Sequence, residues 1–246
     1  MQANVSSHYA ELHEMAESVK PRRRYQSPRR AAQAAQTRRD IVSAAGLLFR
    51  ERGYGVPLAE IASEAGVVVE TVYRIFGSKA TLFRAAVEAL LAGGAGRAEI
   101  PVEERPAIRA ILDEPDPRKQ VAGYAATQPG IHRRAGPLLR ALRDASGSDP
   151  ELRRLWDEME AWRLDGQGRF VRMLADRGAL RPGLDIDVGI DIAWTLCSLA
   201  VYDLLVLGRG WGDERYQAWL TDALARELLA SGTRAHGPDD MAQSAE

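Results

Sequence analysis

From Val68 to Lys79 the chain reads VVETVYRIFGSK, with hydrogen-bonding side chains three and four residues apart. Wound as a helix from about Val69 to Phe76, at roughly 100° per residue, it places Val72 and Phe76 on one face. Glu70 and Arg74 fall on the opposite face, flanked by Thr71 and Tyr73. The chemistry on offer is recognition. An arginine can donate two hydrogen bonds to a guanine edge, tyrosine and threonine hydroxyls suit phosphate or base, and Val69 could touch a thymine methyl. Lys79 adds a full charge at a helix start, where free N–H groups already favour anions. A plainer reading stays open, since Glu70 and Arg74 at i, i+4 could pair on a solvated face.

Catalytic chemistry finds no such support. His8, His13, His132 and His236 show no zinc-ligand spacing together with the lone Cys197. GGAG at 93–96 and GRG at 208–210 follow helical patterns rather than strands, unlike nucleotide-phosphate loops. No nucleophile-elbow pattern is present. The expectation is a protein that is not an enzyme and has no metal and no cofactor. One cysteine excludes an internal disulfide framework and fits a reducing compartment. The start, MQANVSSHYAELHEM, lacks the apolar core of a signal peptide. The most apolar run, Ile192 to Leu207, is interrupted by Asp203 and falls short of the roughly 18 residues of a membrane span. A soluble, cytoplasmic chain with no membrane partner is expected.

Charge is divided unevenly. Between Lys20 and Ala92 stand 13 Lys/Arg against 6 Asp/Glu, a surplus of seven, so the rest carries eight negative charges to reach −1. A basic segment beside an acidic remainder points to a polyanion partner.

The elements that must position these residues are all helical. Residues 1–34 show no sustained apolar period and contain PRRRYQSPRR; they read as a disordered basic arm. Ile41, Ala45, Leu48 and Phe49 then recur at helical spacing in TRRDIVSAAGLLFRER, which stops at Gly53. Pro57 suits the first turn of a second helix, broken at Gly66, and a third ends at Gly77. Ser78 caps a fourth, whose stripe is Leu82, Phe83, Ala86 and Leu90. Residues 35–95 thus form a small helical domain with a helix-turn-helix at about 57–76, whose second helix would enter a DNA major groove. Residues 96–231 read as a larger helical domain, with a break expected at Pro129-Gly130, and 232–246 as a flexible tail. The class is all-α.

The arrangement Thr37-Arg-Arg-Asp-Ile41, Leu48-Phe49, Gly53-Tyr54, Ile61-Ala62, Ala65-Gly66-Val67, Thr71-Val72-Tyr73, Phe76-Gly77-Ser78-Lys79 and Leu82 closely resembles the N-terminal domain of the tetracycline-repressor (TetR) family. The resemblance runs from about residue 35 to 95 and continues more loosely through the helical remainder. It implies a homodimeric, sequence-specific transcriptional regulator on a palindromic double-stranded operator, usually a repressor released by a small-molecule effector. It implies that Thr37 and Lys79 contact phosphate at the starts of the first and fourth helices, and that Tyr73 packs on the DNA backbone. Val69, Glu70, Thr71 and Arg74 occupy the reading positions. Two departures stand out. Val68 replaces the Ser or Thr that usually caps the recognition helix, which costs about 1 kcal/mol. Pro57 stands where Thr or Ser usually caps the second helix, after a loop one residue shorter than usual.

Arg22, Arg23 and Arg24, with Arg29 and Arg30, could enter a minor groove beside the major-groove helix; a solubilising tail is the alternative. Tyr124, Trp156, Trp162, Phe170, Trp194 and Tyr202 are candidates to line a ligand pocket, and ordinary core packing is the alternative for each. Asp191 and Asp203, inside the most apolar stretch, could face a pocket, meet an arginine across a dimer, or lie on an exposed stripe. His132 reads as a satisfied surface histidine. Two other functions compete: a DNA-organising structural protein without ligand control, and a helical small-molecule binding protein.

Overall fold

Arg29 to Gln36 offers Ala31, Ala32, Ala34 and Ala35 between glutamines and arginines, a composition that favours helix without any apolar stripe. In the computed structural model, which describes residues 28–230, the first helix accordingly begins at Pro28 and runs to Arg52 (α1). That corrects the expected start at Thr37 and the arm reading for residues 28–34. Proline at the first position of a helix loses no intrahelical bond. The chain divides into two compact units, Met1–Gln36 and Thr37–Glu246. Only residues 28–36 of the first unit are described, and they are helical. Residues 1–27, with Arg22, Arg23 and Arg24, and residues 231–246 of the expected tail lie outside the described residues.

In the second unit three helices follow α1 closely: α2 (Leu58–Glu64), α3 (Val69–Phe76) and α4 (Lys79–Ala92). Gly66 and Gly77, at φ 67° and 73°, make the turns on either side of α3. Ile41, Phe49, Ile61, Val72, Leu82 and Phe83 are all buried between these helices. The rings of Phe49 and Phe83 meet at 4.9 Å, and each buried phenylalanine contributes about 1.5–3 kcal/mol.

Beyond a helical turn at Ala95–Ala98 come α5 (Pro106–Asp113), α6 (Pro117–Ala145), α7 (Pro150–Asp176), α8 (Ile186–Leu196) and α9 (Asp213–Leu228). The expected break at Pro129-Gly130 is absent. α6 runs through both Pro129 and Pro137, although each lacks the N–H that would close its turn. Packing overrides the local rule, because Val121, Ala125, Ala135 and Leu138 on this helix are fully buried. Conversely, the apolar stretch after Asp185 is broken where a continuous helix was expected. α8 ends at Leu196, Ser198 caps a turn at Leu199–Tyr202, and a π-helix follows over Asp203–Gly208. Among the described residues no single helix is long and apolar enough to cross a membrane; only the bent pair Ile186–Leu196 and Leu199–Gly208 reaches that composition together. No strand occurs among the described residues, only an isolated bridge between Leu180 and Leu229. The fold is all-α.

Two apolar clusters organise the second unit. The first joins α1–α4 to Leu138 and Leu142 of α6 and to Leu152, Leu155 and Met159 of α7. The second lies among α5–α9, around Val121, Phe170, Leu174, Tyr216 and Leu220. α6 and α7 therefore belong to both cores.

Candidate nucleic-acid interface

α3 is amphipathic in the sense expected. Val72 and Phe76 are 1% and 5% exposed, and Tyr73 on the other face is 54% exposed. Glu70 and Arg74 are exposed, while Val69 and Thr71 are half-buried at the edge. The turn that aims α3 is fixed by backbone bonds, Val67 N–H to Ala62 O at 2.9 Å and Thr71 N–H to Val68 O at 3.0 Å. Val68 stands at the cap position with extended backbone, and no side chain caps the helix. Pro57 occupies the equivalent place before α2, again without a side-chain cap.

Glu70 and Arg74 do not pair. Among the ion pairs of the described residues, none includes Glu70, Arg74 or Lys79. The exposed face of α3 thus presents an unneutralised arginine and a carboxylate, with a tyrosine ring between them.

Lys79 opens α4 directly after Ser78, whose Oγ accepts from Thr81 N–H at 3.1 Å. Its ammonium sits 4.7 Å above the Tyr54 ring, and burial lowers its pKa. Tyr54 is itself pushed up to about 12, first by burial and then by Glu151 and Asp149. Its phenol stays neutral, so it holds Lys79 through the ring face alone. Lys79 keeps its charge beside the free N–H groups of the helix start, an arrangement suited to a phosphate.

Thr37 lies well inside α1, not at its start, and is half-buried. Its hydroxyl, without free helix-start N–H groups, is what it can offer. Arg38 is a residue that sequence reasoning passed over. It is exposed on α1, and its guanidinium lies 4.7 Å over the Phe76 ring at the end of α3. The Arg-Arg pair after Thr37 was the available signal.

The candidate pocket residues are only partly brought together. Tyr124 and Phe170 stack at 3.9 Å, and the Tyr124 hydroxyl donates to Gln167 Oε1. Tyr202 lies against His132 at 4.7 Å. Trp194 carries the Arg163 guanidinium over its ring at 4.5 Å and accepts from the same arginine through its carbonyl at 2.6 Å. Trp156 packs on the other core, with the N-terminal helices, and Trp162 is 40% exposed. Asp203 meets Arg140 at 2.7 Å and Arg143 at 3.9 Å in its own chain, and Asp191 is exposed.

His132 corrects the sequence reading. It is 4% exposed, not on the surface, and neither ring nitrogen has a hydrogen-bond partner. Burial, then Arg163, brings its pKa down to about 4, against a small opposing effect of the Cys197 backbone. A buried polar group left without a partner costs about 1–3 kcal/mol. Tyr216, 0% exposed, likewise has an unbonded hydroxyl.

Comparison with known proteins follows this geometry. Residues 41–86 match the family model for bacterial regulatory proteins, tetR family. Among curated proteins none matches this sequence. A TetR-family transcriptional regulator from Rhodococcus sp. superposes with a TM-score of 0.61 at 17% identity, over 78% of this chain and 98% of the other. A transcriptional regulator from Saccharomonospora viridis, solved in complex with choline, gives 0.58 at 22% identity, covering 79% and 98%. NalD of Pseudomonas aeruginosa, the secondary repressor of the MexAB-OprM multidrug efflux pump, gives 0.59 at 22%, covering 81% and 100%. At such identities these structures speak for the fold. With the N-terminal match across α1–α4, the chain belongs to the TetR family of DNA-binding transcriptional regulators.

Proposed function

We propose that the protein is a cytoplasmic homodimeric repressor that binds a two-fold operator through α3 and is released by a small molecule held among α5–α9. The observation that carries this reading is the unpaired face of α3, with Glu70, Tyr73 and Arg74 exposed beside Lys79 at the start of α4. Arg74 reads a base edge, Tyr73 and Thr71 pack on the backbone, Val69 borders the groove, and Lys79, Thr37 and Arg38 hold phosphates.

A second copy would cover apolar side chains that the chain leaves in water. Ile186, Val188, Leu204 and Leu207 are 41%, 49%, 68% and 59% exposed, along α8 and the π-helix. Two copies related by two-fold symmetry set two α3 helices against successive major grooves.

Release needs a physical link between ligand and DNA. α6 and α7 supply side chains to both cores, so displacing them moves α4 and with it Lys79. The likeness to a repressor and to a choline-bound regulator supports the reading, since the same fold serves both roles there.

The test starts with selection of bound sites from random DNA, then measures operator affinity with and without candidate effectors. A palindromic consensus bound by a dimer is expected. Any effector that weakens operator binding must itself be weakened by operator by the same factor, about 5- to 150-fold. A monomer bound to all sequences alike would return the protein to DNA organisation.

A further inference from the structure

Every buried side-chain polar atom without a partner, among the described residues, lies in the C-terminal helices. They are both ring nitrogens of His132, Nε1 of Trp194, the Tyr216 hydroxyl and Oε1 of Gln120. Folded proteins bond nearly all such atoms, so a cluster of exceptions calls for an explanation. Two of these residues share one aromatic neighbourhood. The His132 ring stacks on Tyr202 at 4.7 Å and meets Tyr216 edge-on at 6.3 Å, and Tyr202 meets Tyr216 at 5.1 Å. Trp194 joins them through Arg163, which covers its ring while its charge reaches His132. The three come from α6, α8 and α9.

We infer that His132, Trp194 and Tyr216 form a ligand site for a planar aromatic compound, uncharged or anionic, that carries a hydroxyl, carbonyl or carboxylate oxygen. That this is the effector site rests on the function proposed above.

The donor set decides the ligand's polar group. An indole N–H can only donate, and a tyrosine hydroxyl can donate as well as accept. A ligand oxygen satisfies both, whereas an ammonium group would leave the indole unpaired. His132, neutral at pH 7, adds one donor and one acceptor, which suits a hydroxyl or a carbonyl.

The charges around the site decide the ligand's sign. Arg163 and Arg140 both act on His132 and both disfavour positive charge there. The nearby carboxylates are already engaged, Glu160 with Arg163 at 2.7 Å and Asp203 with Arg140 at 2.7 Å. Aromatic walls can hold a cation by its attraction to a ring face, but the Trp194 face is occupied by Arg163. The same arginines that keep a proton off His132 therefore oppose a quaternary ammonium and favour an anion.

The surroundings also give the site a way to act. Tyr202 runs directly into the π-helix, whose first residue, Asp203, is tied to Arg140 two turns along α6 from His132. A ring inserted beside His132 loads that contact and α6, which lies against α4.

The experiment uses the full-length protein at pH 7 and follows the Trp194 indole N–H and the His132 ring resonances by NMR. The probes are benzene and naphthalene derivatives bearing a phenol, a carboxylate or an aminomethyl group. Phenols and carboxylates should shift both resonances saturably, with the ammonium analogues weaker by about tenfold or more. Tyr216→Phe, which removes only the hydroxyl, should weaken the phenols and carboxylates by about tenfold. Trp194→Phe serves as the second variant, with helical content checked for both. The inference is overturned if no probe moves these resonances, if the ammonium compounds bind equally well, or if neither variant changes affinity. Operator binding separates the two proposals. Probes that bind here without weakening operator binding leave the site standing and remove its effector role. A compound that releases operator without moving these resonances supports release and overturns this site.

Discussion

The Lys79 ammonium rests 4.7 Å above the ring of Tyr54, a residue itself wedged against Phe49 and Phe83. A carboxylate in that place would neutralise the lysine. An aromatic face orients it and leaves its charge for a phosphate. Tyr54→Phe should therefore leave DNA affinity unchanged, while Tyr54→Leu should lower it alike for cognate and random sequences. Lys79→Ala should make the log–log salt slope shallower by about 0.9. The double variant Tyr54→Leu/Lys79→Ala should bind like Lys79→Ala alone. Additive losses, read by fluorescence anisotropy across a salt series, would show that Tyr54 does not act through Lys79.

Arg74 is exposed and unpaired, one turn beyond Glu70. Arg74→Ala should cost about 1–3 kcal/mol on the cognate site and relax preference at one base pair per half-site. Glu70→Ala tests the remaining possibility that the two pair only in solution. If it weakens random and cognate DNA no differently from Arg74→Ala, neither residue reads sequence.

The four N-terminal helices were legible because their ends are written in single residues. Gly53, Gly66, Gly77 and Ser78 each stop or start a helix by a local rule that packing does not override. The start of α1 was not legible, because its alanine-rich first turns are exposed and carry no apolar period. Pro129 and Pro137 misled for the opposite reason: a local rule lost to burial on several sides. The orphaned cluster could not be found from spacing at all. His132, Trp194 and Tyr216 stand far apart in sequence, and only the packing of α6, α8 and α9 makes neighbours of them. The same packing separates Trp156 from the other aromatics, which sequence could not distinguish.

Val68 is 65% exposed with extended backbone, at a cap position where no side chain bonds the first turn of α3. A hydroxyl there could accept an N–H that is now left to water. Val68→Ser should stabilise the protein by about 1 kcal/mol in urea unfolding. The gain is local, so the exchange of the first α3 amides should slow while α9 is unaffected. A stability equal to that of the parent would mean that the turn after Gly66 cannot place the hydroxyl over the helix end.

His132 makes stability depend on pH in a direction that can be worked out. Its pKa falls from 6.5 to about 4 in the folded chain because burial, Arg163 and Arg140 all oppose the proton. Between these values the unfolded chain takes up a proton and the folded chain does not. Stability is thus fully present above pH 6.5, declines as pH falls through this interval, and stops declining near pH 4. The whole loss amounts to about 3 kcal/mol, roughly half of it by pH 5. Urea unfolding at pH 7.5 and pH 5 measures it, with His132→Phe as the comparison. The variant keeps a ring against Tyr202 and cannot take up the proton, so its stability should be flatter over that interval. If variant and parent lose stability in parallel, carboxylates elsewhere account for the pH dependence and His132 is not held neutral by its surroundings.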